Sequence, residues 1–225
     1  MGTLLLIRHG RTDANASGIL AGRTPGVVLD EVGRDTTKAL SLRLKEVKVA
    51  QVVVSPLERT QETANLLFDA EIPSTLDDRL IECDYGTWQG LKLSELATNE
   101  LWPIVQQRPD EMIFPEGESM NDMATRASTA MREWDAKLVA EHGTDVVWAA
   151  VSHGDIIKAI CADAMGLPLR KFQTIMIDPA SVSVVHYSQE GSAVGKLNDT
   201  GESWLAKLND KTNHAPTLGG ESGKD

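Results

Sequence analysis

Three short runs of apolar residues constrain the fold of this chain more than any other sequence feature. They cover residues 4–7, 49–54 and 146–151, and none of them strictly alternates apolar with polar side chains. Strands of this kind are typically buried on both faces, as parallel strands are between two layers of helices. The runs therefore predict the central strands of a parallel sheet.

The segments around these runs complete the prediction of an α/β fold. A fourth, β-branched run follows Pro179 and covers residues 181–187, and helical patterns separate the strands. The clearest helix covers about residues 119–141, where apolar side chains recur every three or four positions after Ser119, a favourable N-cap. Alternating strands and helices indicate right-handed crossovers. We predict a three-layer α/β/α sandwich with a mostly parallel central sheet.

The length and composition of the chain favour one folded domain. A chain of 225 residues, of which 41% are hydrophobic, can bury one substantial core, and we assign residues 1–208 to it. Within this domain, residues 77–117 are rich in Glu, Asp, Pro and Trp, which indicates a small inserted cap. Residues 209–225 contain almost nothing to bury and are predicted to form a disordered tail.

The charge and the cysteines limit the partners and the compartment. With 33 acidic and 22 basic residues, the chain repels nucleic acid and anionic membranes, so neither is an expected partner. Cys83 and Cys161 show no metal-ligand or disulfide spacing, and no apolar run is long enough for a signal peptide or a membrane span. These features predict a cytoplasmic protein. They leave its oligomeric state open, a homodimer included.

The residues that directly follow the three apolar runs carry complementary chemistry. Arg8, His9 and Gly10 follow the first run, Ser55 to Arg59 follow the second, and Ser152, His153 and Gly154 follow the third. Parallel strands bring such positions to one edge of the sheet. Arginine matches phosphate oxygens with two parallel hydrogen bonds, and a helix that begins beside Gly154 adds backbone N–H groups. The sequence therefore predicts a phosphate site.

A histidine in such a site can act as a nucleophile. Neutral imidazole attacks phosphorus and forms a covalent intermediate, and His9 is our candidate for this role. Arginines around the transferred group stabilise its charge, as Arg8 and Arg59 would. The leaving alkoxide also needs a proton, which Glu82 or Asp84 of the predicted cap could supply. Sequence spacing does not choose between these two carboxylic acids.

Four sequence blocks extend the match beyond one short motif. They are Arg8-His9-Gly10 with Thr12 and Asn15, Ser55-Pro56-Leu57-Glu58-Arg59-Thr60-Gln61-Glu62-Thr63, Leu80-Ile81-Glu82 with Tyr85-Gly86 and Trp88-Gln89-Gly90, and Ser152-His153-Gly154. With these blocks the chain resembles the histidine phosphatase superfamily, also called the phosphoglycerate mutase-like family, up to about residue 200. The resemblance implies the same sandwich fold and a reaction without metal or cofactor.

The resemblance also implies roles for individual residues. His9 would be the phosphorylated nucleophile and Glu82 the proton donor. The phosphate would be bound by Arg8, Asn15, Arg59 and His153, and Gly22 and Gly154 would contact the substrate.

The residues after Glu82 favour one branch of this family. Mutases carry a basic and aromatic cluster there, whereas this chain has Cys83-Asp84-Tyr85-Gly86-Thr87-Trp88. A mutase must keep water away from its phosphohistidine, and a phosphatase must admit it. We predict a phosphatase that acts on a small phosphorylated metabolite. The alternatives are a phosphoglycerate mutase and a non-catalytic protein that binds phosphorylated ligands; a metallophosphatase would need more clustered carboxylates and histidines.

Overall fold

The sheet of this protein has six strands within the residues that the structure describes. The structure is a computed structural model, and it describes residues 2–188 and 190–201 together with Leu218. The strands are β1 (Gly2–Arg8), β2 (Val52–Val54), β3 (Ser74–Leu76), β4 (Val147–Ser152), β5 (Val182–Ser188) and β6 (Gly191–Asp199). Their order across the sheet is β3-β2-β4-β1-β5-β6.

The described helices connect these strands. They are α1 (Asp13–Ala16), α2 (Glu31–Leu44), α3 (Glu58–Leu67), α4 (Leu93–Leu96), α5 (Trp102–Gln107), α6 (Met120–His142) and α7 (Gly154–Ala164). Short 3₁₀ helices cover Asp78–Leu80, Gly86–Trp88, Pro109–Glu111 and Leu169–Thr174.

The four strands on the β3 side of the sheet are parallel, as the apolar runs predicted. β4 lies between β1 and β2, so that Ala150 pairs with Leu6 on one side and with Val53 on the other. β5 is antiparallel to β1, and β6 is antiparallel to β5. The sheet is therefore mixed but mostly parallel, and the predicted α/β sandwich is confirmed.

Two strands were missing from the prediction because they lie at the edges of the sheet. All three residues of β3 are exposed, and β6 is largely exposed as well. β6 contains glycine, lysine, asparagine and aspartate, which do not form the apolar pattern of a buried strand. The predicted run 49–54 also proved longer than its strand, since β2 begins only at Val52.

The two faces of β1 show how the three layers are built. Leu4 and Leu6 face one apolar cluster, which also contains residues of α6 and α7, and Leu5 and Ile7 face the other, with Leu40 of α2. All four of these β1 side chains are buried. The absence of alternation in the sequence therefore has the predicted cause, which is burial of the strand between two helical layers.

The long helix α6 agrees with its predicted range within one residue at each end. The Ser119 side chain accepts a hydrogen bond from the backbone N–H of Asp122, which satisfies one of the unpaired donors of the first turn. Met120, Met123 and Met131 are buried in the core. The methionines therefore pack against the sheet, and α6 supports the segment 77–117 that we predicted as a cap.

Segment 77–117 contains short helices and loops that are packed around aromatic side chains. The rings of Trp88 and Trp102 stack with their centres 6.3 Å apart, and Phe114 contacts Trp88 edge to face. Gly86 has φ = 53°, and a Cβ atom there would lie 2.0 Å from the carbonyl oxygen of Pro115. Gly86 therefore lies against the backbone of Pro115, near the end of the segment, where only glycine fits. Of the predicted tail 209–225, only Leu218 lies within the described residues, and it is buried.

Candidate active site

The structure brings four predicted site residues together at the carboxyl ends of β1, β2 and β4. Arg8 ends β1 and His9 follows it, Arg59 lies in the first turn of α3, and His153 is the N-cap of α7. The backbone N–H of His9 donates to the carbonyl of Ser152 at 3.0 Å, which extends the strand pairing into the site. All four side chains are buried.

The hydrogen bonds of His9 define which ring nitrogen is available as a nucleophile. Nε2 accepts a hydrogen bond from Nε of Arg59 at 3.3 Å, so it carries the lone pair. Nδ1 must then carry the proton, which it donates to the carbonyl of Gly10 at 2.7 Å. Burial, and then the charges of Arg59 and Arg8, hold the pKa of His9 well below its usual value. The ring is therefore neutral at neutral pH.

The loop that holds His9 is fixed by close packing against α2 and α3. The N–H of Gly10 donates to Oγ1 of Thr63, and that hydroxyl donates to the carbonyl of Arg59. A Cβ atom on Gly10 would lie 2.6 Å from Oγ1 of Thr37 and 2.7 Å from the carbonyl oxygen of Gly33. Glycine at this position thus permits the loop that holds His9 to lie directly on α2.

His153 lies beside His9 in the cluster. Their ring centres are 5.3 Å apart, and Nε2 of His153 forms a hydrogen bond of 2.7 Å with Oγ of Ser55. Nδ1 is buried and has no hydrogen-bond partner among the described residues. Burial, and then the charge of Arg59, lower the pKa of His153 well below its usual value. It is therefore a neutral ring within a cationic cluster.

The two arginines are held by backbone carbonyl groups. Nη2 of Arg59 donates to the carbonyl of Gly22 at 2.7 Å, and Nη1 of Arg8 donates to the carbonyl of Ile177 at 2.8 Å. Gly22, which has φ = 53°, thus lies against Arg59 through its backbone. The guanidinium groups are fixed before any ligand binds, which is the preorganisation that anion stabilisation requires.

Asn15 and Gly154 each lie in the first turn of a helix. Oδ1 of Asn15 accepts hydrogen bonds from the N–H and the hydroxyl of Thr12, and the Thr12 hydroxyl accepts in turn from the N–H of Asn15. This capping box buries Asn15 at the beginning of α1. Gly154 is the first residue of α7 and is also buried. Gly154 directly follows His153, and Asn15 lies six residues after His9.

Glu82 and Asp84 differ in their surroundings. Glu82 is 4% exposed, and its Oε1 accepts a hydrogen bond from the N–H of Cys83 at 2.9 Å. Burial, and then the charge of Asp155, raise the pKa of Glu82 to about 8, although Arg59 and Arg8 act in the opposite direction. Asp84 is partly exposed, pairs with Arg23 and accepts from the N–H of Gly86. Glu82 is thus the buried carboxylic acid beside the arginines.

Sequence reasoning missed the side chains that surround Glu82. Arg23 and Arg126 both donate to its backbone carbonyl, and Glu118 binds both arginines. In the sequence, Glu118 directly precedes the predicted N-cap Ser119. No local signal identifies these residues, because Arg23 is distant in sequence from Glu118 and Arg126, and all three are distant from Glu82.

A second missed group is a buried polar network behind the site. The hydroxyl of Tyr85 donates to Asp155 at 2.8 Å, and Lys158 donates to the same carboxylate at 3.2 Å. The network joins the loop that follows Glu82 to the first turns of α7. The position of Asp155, two residues after His153, was the only sequence signal for it.

The family model of the histidine phosphatase superfamily (branch 1) matches residues 4–200 of this chain. The chain belongs to the histidine phosphatase superfamily. The match covers the sheet from Leu4 onward, the segment 77–117 and every residue of the cluster described above. The resemblance inferred from four sequence blocks is thereby confirmed.

Curated relatives of this superfamily member include phosphatases and mutases. Phosphoserine phosphatase 1 of Hydrogenobacter thermophilus is 30% identical over 205 residues, which cover 88% of this chain and 92% of that protein. A probable phosphoglycerate mutase, GpmB of Erwinia tasmaniensis, is 31% identical over 188 residues, 82% of this chain and 84% of that protein. Both names are consistent with phosphoryl-transfer chemistry in the superfamily.

Other matches concern the length of the relatives and the fold. Bifunctional protein Rv2228c of Mycobacterium tuberculosis is 34% identical over 205 residues, 88% of this chain, but the match spans only 54% of that protein. The chain thus covers about half the length of the first curated relatives it matches. The structure of Bacillus stearothermophilus YhfR has a TM-score of 0.80 at 27% identity, covering 88% of this chain and 98% of that one.

The described residues contain neither a clustered metal site nor a membrane-spanning helix. No group of three or more histidine, cysteine or acidic side chains in this part of the chain is arranged to hold a metal ion. Among the described helices, none combines the length and the apolar composition of a membrane span.

Proposed function

We propose that this protein is a phosphatase that hydrolyses a small phosphorylated metabolite through a phosphohistidine on His9. The observation that carries the proposal is the geometry of His9. Its Nδ1 proton is held by the carbonyl of Gly10, and its Nε2 lone pair lies 3.3 Å from Nε of Arg59. A neutral imidazole whose lone pair points at a phosphate-binding guanidinium is arranged to attack phosphorus.

In the first step, Nε2 of His9 forms a bond to phosphorus while the bond from phosphorus to the leaving oxygen breaks. Arg8 and Arg59 stabilise the charge on the transferred group. Nδ1 of His153 can donate to a phosphoryl oxygen if the Ser55 hydroxyl donates to Nε2, and the amide group of Asn15 and the N–H groups at the start of α7 add further donors. Glu82 gives its proton to the leaving oxygen, and the alcohol departs.

In the second step, the phosphohistidine is hydrolysed. Glu82, which is now a carboxylate, accepts a proton from water while the water oxygen forms a bond to phosphorus. The bond from phosphorus to Nε2 breaks, inorganic phosphate is released, and His9 and Glu82 return to their starting states. The same carboxyl group therefore serves as acid and then as base.

Two observations favour Glu82 over Asp84 as the acid. The raised pKa of Glu82 keeps it protonated near neutral pH, as a proton donor requires. The carboxylate of Asp84 is already engaged with Arg23 and with the N–H of Gly86.

The second candidate function is a mutase, which the similarity to the probable phosphoglycerate mutase favours. The residues after Glu82 argue against it, because Cys83, Asp84, Tyr85 and Gly86 include no basic side chain, whereas mutases of the family carry a basic cluster there. Phosphatase chemistry is therefore the better match to this chain.

Product analysis tests the proposal against both rivals. The protein is incubated with phosphoserine, 3-phosphoglycerate and p-nitrophenyl phosphate in the presence of EDTA. We expect free phosphate from at least one monophosphorylated substrate, in equal amount to the alcohol. Conversion of 3-phosphoglycerate to its positional isomer without phosphate release would establish the mutase. Binding of these compounds without any turnover would establish the non-catalytic alternative.

The pH dependence of hydrolysis should follow the protonation of Glu82. The group must be protonated to donate, so kcat/KM for an alkyl phosphate is expected to fall as the pH rises through about 8. The lowered pKa of His9 keeps the nucleophile neutral, so His9 itself causes no loss until the pH is well below 6.5. A profile measured from pH 5 to 10 checks both limbs. An alkaline limb that persists unchanged in Glu82→Gln would assign it to another group.

A further inference from the structure

The loop that carries Glu82 is held by a charged cluster that the proposed chemistry does not use. We call Arg23, Glu118 and Arg126 the Glu118 cluster. Nε of Arg23 donates to the backbone carbonyl of Glu82 at 2.9 Å, and Nη2 of Arg126 donates to the same oxygen at 3.3 Å. Two cations thus converge on the main chain of the residue whose side chain would move the proton.

Glu118 holds these two arginines in place. Its Oε1 accepts from Nη2 of Arg23 at 2.9 Å and from Nη2 of Arg126 at 2.7 Å, and its Oε2 accepts from Nε of Arg126 at 3.0 Å. The same Oε1 also accepts from the N–H of Asp84 at 2.8 Å. The carboxylate therefore fixes the loop directly at Asp84 and indirectly at Glu82.

The cluster is sheltered enough for these bonds to matter. The side chains of Glu118 and Arg126 are 17% and 20% exposed. Burial alone would raise the pKa of Glu118, but the hydrogen bonds and charge of Arg126, with the charge of Arg23, hold it below its usual value. Glu118 is therefore ionised, and charge-assisted hydrogen bonds are stronger than neutral ones.

The cluster joins separate parts of the site. Arg23 directly follows Gly22, whose carbonyl accepts from Arg59, so the loop that touches the phosphate-binding arginine also holds the proton donor. Arg126 lies on α6 and donates to the carbonyl of Arg79 as well. The position of Glu82 relative to Arg59 is thus set through α6 and the loop that contains Gly22.

We propose that Glu118, together with Arg23 and Arg126, positions the carboxyl group of Glu82 against the leaving oxygen. This inference rests on the proposed function, in which Glu82 is the proton donor. Glu118 touches neither substrate nor phosphate in this scheme, and it acts only through the main chain of Glu82 and Asp84. A misplacement of about 1 Å in a catalytic group can cost on the order of 100-fold in rate.

Leaving-group dependence distinguishes this role from a merely structural one. An alkyl phosphate needs a proton from Glu82, whereas p-nitrophenolate leaves without one. In Glu118→Gln and in Arg126→Ala, we expect kcat/KM for phosphoserine or another alkyl phosphate to fall roughly 10-fold to 100-fold, and that for p-nitrophenyl phosphate to change by less than about 3-fold. General damage to the fold would lower kcat/KM equally for both substrates.

Arg132→Ala is the matched control for Arg126→Ala. Arg132 lies on the same helix and is half exposed, and its hydrogen bonds among the described residues go to Asp163 and not to the Glu118 cluster. Arg132→Ala should leave kcat/KM unchanged for both substrates. Arg126→Lys should restore part of the lost activity, because lysine can reach Glu118 but cannot make the paired hydrogen bonds of arginine.

A double-mutant cycle tests whether Glu118 acts through Glu82. In the background of Glu82→Gln, Glu118→Gln should cause no further loss with the alkyl phosphate, because the group it positions is already gone. Additive losses, or equal losses for both substrates, would overturn the positioning role while leaving the proposed function intact. If Glu82→Gln itself showed no dependence on the leaving group, the assignment of the proton donor would fail, and this inference with it.

Discussion

Replacement of His9 by alanine is expected to lower kcat/KM by about four orders of magnitude or more, because the variant has no nucleophile to form the covalent intermediate. The wild-type protein, mixed with ³²P-labelled phosphomonoester and quenched in alkali, should carry a labelled adduct that acid releases, as phosphohistidine requires. The variant should carry none. Any remaining activity should come from the phosphate-binding arginines alone, without a covalent intermediate.

His142→Ala provides the matched control for this experiment. His142 is the exposed last residue of α6 and is none of the residues placed in the site. It should keep full activity and the labelled adduct. Full hydrolysis by His9→Ala would contradict the proposed mechanism. A labelled adduct in that variant would show that another residue is the nucleophile, and His153 would be the first residue to examine.

The second large effect is expected at Glu82. Glutamine at this position retains the shape of the side chain but cannot donate a proton, so kcat/KM for an alkyl phosphate should fall about 100-fold to 10,000-fold. The loss for p-nitrophenyl phosphate should be much smaller. The second step also needs Glu82 as a base, so the phosphohistidine should accumulate during turnover of p-nitrophenyl phosphate.

Asp84→Asn tests which of the two carboxyl groups donates the proton. It removes a partly exposed charge that pairs with Arg23 but leaves Glu82 in place. We expect a smaller loss than in Glu82→Gln and no accumulation of the phosphohistidine. If the loss in Asp84→Asn depended more strongly on the leaving group than the loss in Glu82→Gln, Asp84 would be the proton donor.

The sequence was informative wherever a local pattern has a direct physical cause. The run from Leu4 to Ile7 is apolar at every position because helices cover both faces of β1. The polar residues that end β1, β2 and β4 meet because parallel strands share one carboxyl edge. These two rules sufficed to predict the sandwich and to bring His9, Arg59 and His153 to one place.

The sequence was uninformative where contacts depend on three dimensions. The exposed strands β3 and β6 lack an apolar pattern because they bury little surface. Glu118 meets Arg23 across the cap segment, and Tyr85 meets Asp155 across the interface with α7. Polar pairs at such sequence separations follow from the fold, so no periodic pattern in the sequence predicts them.

The central position of β1 also affects the order in which the protein can assemble. Leu6 on β1 pairs with Ala150 of β4 and with Ser183 of β5, so both neighbours of the strand that precedes His9 come from the last third of the described sequence. Contacts between such distant residues are slow to form, since a long loop must close first. A nascent chain that stops before β4 therefore contains His9 without either strand that pairs with β1. The cluster of Arg8, His9, Arg59 and His153 can form only late in synthesis, when β4 and β5 have joined the sheet.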